Sequence, residues 1–312
     1  MAVAATTPEP ASSRGNAAGA IGRLAKRLPL HLTILVIVVL WSVPTIALLV
    51  SSFRDPSAIS ATGWWHAFTA PANFTWDNYD RVLNERGMGR AFINSFIISV
   101  PATLLVLLVA SMAAYAFAWM SFPFRNAIFL IMVALLVVPV QITLIPVLRL
   151  YADHLTVHIT IPLIGGNLFG VSSFPGLWLA HTAFGLPFAI YLLRNFFGSL
   201  PRELIESAQL DGASDAKIFF SIILPLSMPA LASLAIFQFL WVWNDLLIAL
   251  VFLGDPTLSP MTLTITNLVS SFGSSYQVLT AAAFVSMVVP LIIFFALQRY
   301  FVQGILAGAV KG

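Results

Sequence analysis

The sequence predicts an all-α membrane protein with six transmembrane helices, on three observations. Of its 312 residues 59% are hydrophobic and only 9% charged, with a mean hydropathy of +0.94. A soluble chain carries charge at about a quarter of its positions, so the soluble class is excluded. Six apolar stretches are each long enough to cross the ~30 Å hydrocarbon layer, which takes about 20 helical residues. Basic residues are spread unevenly among the intervening segments, as they are when they set the sidedness of a membrane chain.

The elements follow in order. Residues 1–29 are rich in Ala, Ser, Thr, Pro and Gly, too poor in apolar surface to order themselves, and read as a flexible cytoplasmic tail. The first apolar run exceeds the 7–15 residues of a signal-peptide core and no A-x-A site follows it, so it reads as a retained anchor helix. The spans are expected at about 31–53, 91–118, 126–148, 176–198, 226–250 and 278–301, in one transmembrane domain over 30–303, with a C-terminal tail at 304–312. With the N-terminus inside, ten Lys/Arg fall on the cytoplasmic side and five outside, which favours N-in/C-in. Four of the outer five lie in 54–90, where Arg54 and Arg90 stand at span edges and are expected to snorkel. The outer loops are then 54–90, 149–175 and 251–277; the inner ones are 119–125 and 199–225. The small net charge of +3 reflects this topology, and nucleic acid is not an expected partner. Without a cysteine the chain has no disulfide, thiolate nucleophile or Cys-ligated metal.

The inner stretch 199–225 holds "ESAQLDGASDAKIFFSIILP" (206–225), unusually polar for this chain. Pro201 suits a first helical turn, and Glu203 stands favourably near the positive helix end. Leu204, Ala208 and Ile205 give a small apolar face at helical spacing. Asp211-Gly212 signals a turn, Ser214 is placed to cap a second helix, and Pro225 marks the start of the fifth span. The expected product is a helix, a tight corner and a second helix outside the bilayer, either an inter-helix connection longer than the usual 2–8 residues or a docking feature for a soluble partner.

The order Glu206-Ser207-Ala208, three residues, Gly212, nine residues, Ile222, one residue, Leu224-Pro225 resembles the "EAA" motif of permease subunits of bacterial binding-protein-dependent ABC importers, departing only at Ser207, where Ala is usual. "NFTWDNY" (73–79), "INSFIIS" (93–99), "WVWNDLL" (241–247) and the closing "LQRYFVQGILAGAVKG" (297–312) extend the similarity to the carbohydrate, MalG-like branch over most of the chain after residue 30. The resemblance implies a type I importer permease fold in a bacterial plasma (inner) membrane. It also implies a second homologous permease, a cytoplasmic ATPase dimer and a periplasmic or lipid-anchored sugar-binding protein as partners. By position, Glu206, Ser207, Ala208, Asp211, Gly212, Ala213, Leu224 and Pro225 would form the coupling helix that sits in an ATPase cleft, and Lys311 and Gly312 would lie on a tail reaching between the ATPase subunits. Gly254, Asp255 and Pro256, in "GDPTLSP", would contact the binding protein. The chain has no G-x-x-x-x-G-K-[ST] loop, and "GGNLFG" (165–170) fails that pattern as well as G-x-G-x-x-G. It would therefore bind no cofactor, with ATP and Mg on the partner ATPase.

Within the spans Asp245 is the outstanding charge, and intramembrane acids are functional candidates by default. It lines the translocation path, or it pairs locally with Asn244 and a neighbouring helix. Gln141, between Pro139 and Pro146, stands where a broken helix would face a cavity; Asn94 is a similar candidate, and both are equally suited to bonding between helices. Trp241 and Trp243 fit an interfacial belt better than a sugar platform. His154 and His158, four apart, would share a helix face but lack a third zinc ligand. An intramembrane enzyme would want two or more convergent ionisable groups, of which Asp245 alone is evident, and an ion-coupled transporter several intramembrane acids. An importer permease is the reading that remains; "AFGLPFAIYLLRNFF" (183–197) and "FQFLWVWNDLLIALVFL" (237–253) resemble glucose or α-glucoside permeases, which implies glucose, an α-glucoside or another oligosaccharide as the sugar, with glycerol phosphate as the alternative solute.

Overall fold

The computed structural model describes residues 14–69, 74–160, 167–271 and 276–309. Its first helix, α1 (Arg14–Ser52), starts well inside the segment that composition marks as a tail. Ala17, Ala18, Ala20, Leu24 and Ala25 are strong helix formers, and they continue the helix of the apolar run backward through Pro29. From Arg27 to Ser52 it is long and apolar enough to cross a membrane, yet none of its most apolar window is buried within the chain.

Between α1 and the second long helix lies a segment with α2 (Pro56–Ala61), a 3-10 turn (Trp64–Phe68) and α3 (Asp77–Asp80). Asp55 caps α2, accepting bonds from the Ser57 backbone N–H (2.8 Å) and hydroxyl (2.5 Å), which hold its carboxyl below the usual range. Arg54 does not snorkel. It is 2% exposed, and its guanidinium donates to the carbonyls of Ala58, Thr62 and Gly63 and to the Thr62 hydroxyl. Carbonyls clustered at the end of α2, that of Thr62 otherwise unbonded among the described residues, draw the cation inward, where it closes the loop. Asn78 completes the clasp by donating to the carbonyls of Ser52 and Arg54.

The central helices are α4 (Met88–Trp119) and, further on, α7 (Phe174–Phe197). The buried stripe of α4 includes Ala91, Ser95, Ser99, Ala102, Thr103, Ala110, Ser111 and Ala114, while Leu104, Leu108 and Met112 face outward. In lipid, greasy side chains gain nothing from each other's company, so small residues that let backbones approach mark the packing face. The Trp178 indole N–H donates to the Ile97 carbonyl (2.7 Å) and ties α7 to α4.

Two expected spans are broken. In place of a continuous helix over 126–148, α5 (Arg125–Ala134) continues to Val137, and α6 (Val140–Leu150) departs after a bend of 107°. Pro139 has no N–H to donate and forces Val138 into an extended conformation (φ −75°, ψ 117°). After α6 the chain forms a hairpin of β1 (Val157–Thr160) and β2 (Asn167–Phe169). His154 lies in the helical turn before this hairpin and His158 in β1, so the two do not share a helix face.

The polar stretch after α7 follows as α8 (Arg202–Leu210), α9 (Asp215–Ile218) and, after a widened turn, α10 (Leu224–Leu226). A 76° bend at Ser227 leads into α11 (Met228–Trp243). The expected fifth span, 226–250, stops early at Trp243, and α12 (Leu247–Phe252) starts afresh after Asn244 and Asp245. The outer stretch beyond contains α13 (Met261–Ser271), packed on α4 and on the last helix, α14 (Tyr276–Ala309). Trp243 is not in an interfacial belt: it is buried, donates to the Ser286 carbonyl, and packs against Phe92, Phe96 and Phe239. Among the described residues four helices are long and apolar enough to span, or up to six spans if each bent pair counts as one.

Candidate functional site

α8 terminates in a Schellman motif. The Ala213 N–H bonds the Ala208 carbonyl and the Gly212 N–H bonds the Gln209 carbonyl, both at 3.0 Å. That pattern places Gly212 in the left-handed region (φ +77°), which a side chain disfavours. Pro201 is the residue before the helix rather than in its first turn, and Glu203 occupies that turn. The Ser214 hydroxyl accepts from the Lys217 N–H (3.4 Å) to cap α9.

The buried apolar residue of α8 is Ile205. Ile205 and Ala208 lie on the buried face as expected, whereas Leu204 is 45% exposed and, like Leu210 at 89%, stands off it. Ile205, Ile218, Phe219 and Ile223 pack into one cluster with Val106 and Ala110 of α4 and Leu193 and Phe197 of α7, with Ala208, Ala213 and Leu224 against it. The Tyr115 hydroxyl of α4 donates to Asp215 Oδ1 (3.1 Å), a tether that nothing in the local sequence signals. Glu206, Ser207, Asp211, Gly212 and Pro225 are left exposed around this root.

A second site forms where the broken helices meet. Gln141, His181, Gly185, Gln238, Trp241 and Asp245 line a pocket of about 160 Å³. Asp245 has a local role: Oδ2 accepts the N–H groups of Ile248 (3.0 Å) and Ala249 (3.2 Å), so the carboxylate starts α12. Its carbonyl accepts the Thr262 hydroxyl. The same Oδ2 lies 4.0 Å from His181 Nε2, which is buried. Two ionisable groups therefore meet where the sequence showed one. His181 is open to the same rule that singled out Asp245, since it is ionisable and lies within a span; Gln238, a lone polar residue in "AIFQFLW" (235–241), carries the kind of signal that marked Gln141.

The other two path candidates lie elsewhere. Asn244 is exposed and bonds the Leu240 carbonyl of its own helix. Asn94 donates to the carbonyls of Thr257 (2.9 Å) and Ser259 (3.0 Å), fastening the outer loop to α4 at the edge of an open cleft of about 720 Å³. In that loop Asp255 caps the Pro256–Leu258 turn, the Gly254 N–H bonds the Ser172 hydroxyl, and Gly254 and Pro256 are exposed. Lys311 and Gly312 lie outside the described residues.

Residues 106–307 match the family described as "Binding-protein-dependent transport system inner membrane component". The chain is 53% identical to the osmoprotective compounds uptake permease protein GgtD of Synechocystis sp., over 92% of this chain and 93% of that one. It is 41% identical to the alpha-glucoside transport system permease protein AglG of Rhizobium meliloti, over 92% and 99% respectively. The fold is similar to that in a crystal structure of a bacterial ABC transporter involved in the import of the acidic polysaccharide alginate, with a TM-score of 0.70, 20% identity, and coverage of 95% of this chain and 100% of the other.

Proposed function

Because this chain belongs to the family of inner membrane components of binding-protein-dependent transport systems, we propose that it is one of two permease subunits passing a sugar or related glycoside through a bacterial plasma membrane, powered by ATP hydrolysis on a separate ATPase dimer. As a permease subunit of an ABC transporter it is not an enzyme. In this reading each bent pair is one span, which makes six, and both termini and the α8–α9 corner lie in the cytoplasm.

The observation that carries the reading is the corner. Its polar rim is exposed, and Glu206 has no ion-pair partner among the described residues, while its apolar root is packed into the α4–α7 core. A loose connector needs no such root. Glu206, Ser207, Ala208, Asp211, Gly212 and Ala213 form the ATPase contact in this reading, with Leu224 and Pro225 joining it to α11. Lys311 and Gly312 supply a second contact to the ATPase, and Gly254, Asp255 and Pro256 meet the sugar-loaded binding protein. The relative named for α-glucoside transport supports an α-glucoside as solute.

The test is uptake in proteoliposomes holding both permeases, the ATPase and the binding protein, with Gly212→Pro and Glu206→Lys. Both variants are expected to insert normally, lose co-purification with the ATPase, and lose ATP-driven uptake. Retention of both properties in both variants would show the corner to be a connector.

A further inference from the structure

We propose that this chain itself holds one ring of the transported solute, in the pocket between α6, α7, α11 and α12, and that the pocket selects neutral polyhydroxylated solutes over anionic ones. The proposal rests on the importer reading and adds to it a binding site and a substrate class. Three separately folded pieces supply the lining: Gln141 just past the Pro139 break, His181 and Gly185 one turn apart on α7, and Gln238, Trp241 and Asp245 around the end of α11.

His181 is 3% exposed, and its Nε2 has no hydrogen-bond partner among the described residues; Asp245 Oδ2, at 4.0 Å, is beyond bonding distance. Buried polar atoms are normally bonded, so a nitrogen left unmet at the edge of a cavity points to a group that arrives from outside. Gln238 is equally buried, and a Cβ on Gly185 would come within 2.9 Å of its amide. Glycine at 185 is what leaves that amide its place.

The volume, about 160 Å³, is close to the ~150 Å³ of a cavity that takes a benzene ring, so it suits one six-membered ring. Trp241, 47% exposed, offers an indole face to the apolar side of such a ring. Amide, imidazole and carboxylate together can donate to and accept from hydroxyls. The lining contains a carboxylate and neither Lys nor Arg, so a phosphate or uronate would meet repulsion without compensation.

The test uses the complete importer in nanodiscs, trapped with ATP and vanadate, and counts radiolabelled solute retained per trapped nucleotide. Maltose, sucrose and trehalose serve as neutral probes and glycerol 3-phosphate as the anionic one. At least one neutral probe is expected to be retained and glycerol 3-phosphate not. His181→Leu and Gln238→Leu should each lower retention about tenfold or more, Gly185→Ala about threefold, and His181→Gln should recover most of the loss. Retention unchanged in both leucine variants, retention of glycerol 3-phosphate in preference, or trapped nucleotide with no neutral probe retained would each overturn the proposal. Failure of the wild-type assembly to trap nucleotide would instead remove the importer reading on which it rests.

Discussion

Substituting Gly212 isolates the backbone geometry of the corner from its contacts. The residue sits at φ +77°, and a Cβ added there would meet no atom within 4 Å. Steric clash with neighbours therefore contributes nothing, and the whole effect of Gly212→Ala is the cost of the left-handed conformation, roughly 1–2 kcal/mol. At 1.4 kcal/mol per factor of ten, the corner's native geometry becomes about 5- to 30-fold less favoured. An ATPase that recognises only that geometry should bind more weakly by up to the same factor. Gly212→Val should do at least as much, because a β-branched residue tolerates positive φ poorly, whereas Gly212→Asn should stay within about threefold. The assay is a titration of the ATPase onto nanodiscs carrying the permease pair, with the spans' insertion checked by protease protection. Wild-type affinity for both the alanine and valine variants would refute the argument that a left-handed residue shapes the docking surface.

Three further outcomes follow from the geometry. Tyr115→Phe removes one partly buried bond to Asp215, worth about 1 kcal/mol, and should speed hydrogen exchange over 202–218 several-fold without altering exchange in α4. Arg54→Leu leaves the Thr62 carbonyl without its donor, takes one bond each from the carbonyls of Ala58 and Gly63, and should open 55–69 to protease; Arg54→Lys should rescue poorly, since an ammonium cannot reproduce the guanidinium fork. Asp245→Ala removes the cap of α12 and should cost about 0.5–2 kcal/mol, read as a lower thermal midpoint of the purified complex; Asp245→Asn should recover most of it, because asparagine also caps.

What the sequence made legible was local. The long helices at Arg27–Ser52, Met88–Trp119, Phe174–Phe197 and Tyr276–Gln298 lie over four of the apolar runs, because the length of a run is written in consecutive residues. Pro139 announced its break by chemistry alone. The break at Asn244-Asp245 did not announce itself, since an acid inside an apolar run reads as an intramembrane charge until its bonds to Ile248 and Ala249 are seen. The pocket was half legible: Gln141 and Asp245 stood out as polar residues in greasy surroundings, but their meeting with His181 and Gln238 depends on how four elements pack. Asn94 stood out for the same reason, and its amide belongs to the outer loop. On α8, Ile205 and Ala208 were legible as buried, but that Leu204 is turned outward depends on a rotation of about 100°, which helical spacing in so short an element does not determine.

The shared root of the corner has a mechanical consequence. Ile205, Ile218 and Phe219 are packed in the same cluster as the inner halves of α4 and α7, so a force on the corner acts on those helices as on the short arm of a rocker. The 24 residues of α7 make a long arm of about 36 Å, and a tilt of roughly 10° at its inner end carries the outer end through about 6 Å. His181 and Gly185 ride on that arm, while Gln141 lies beyond the elbow at Pro139. In the proposed importer, rocking α7 would widen or narrow the gap between one wall of the pocket and the other, so a stroke applied at the corner would be felt as a change of bore at the pocket.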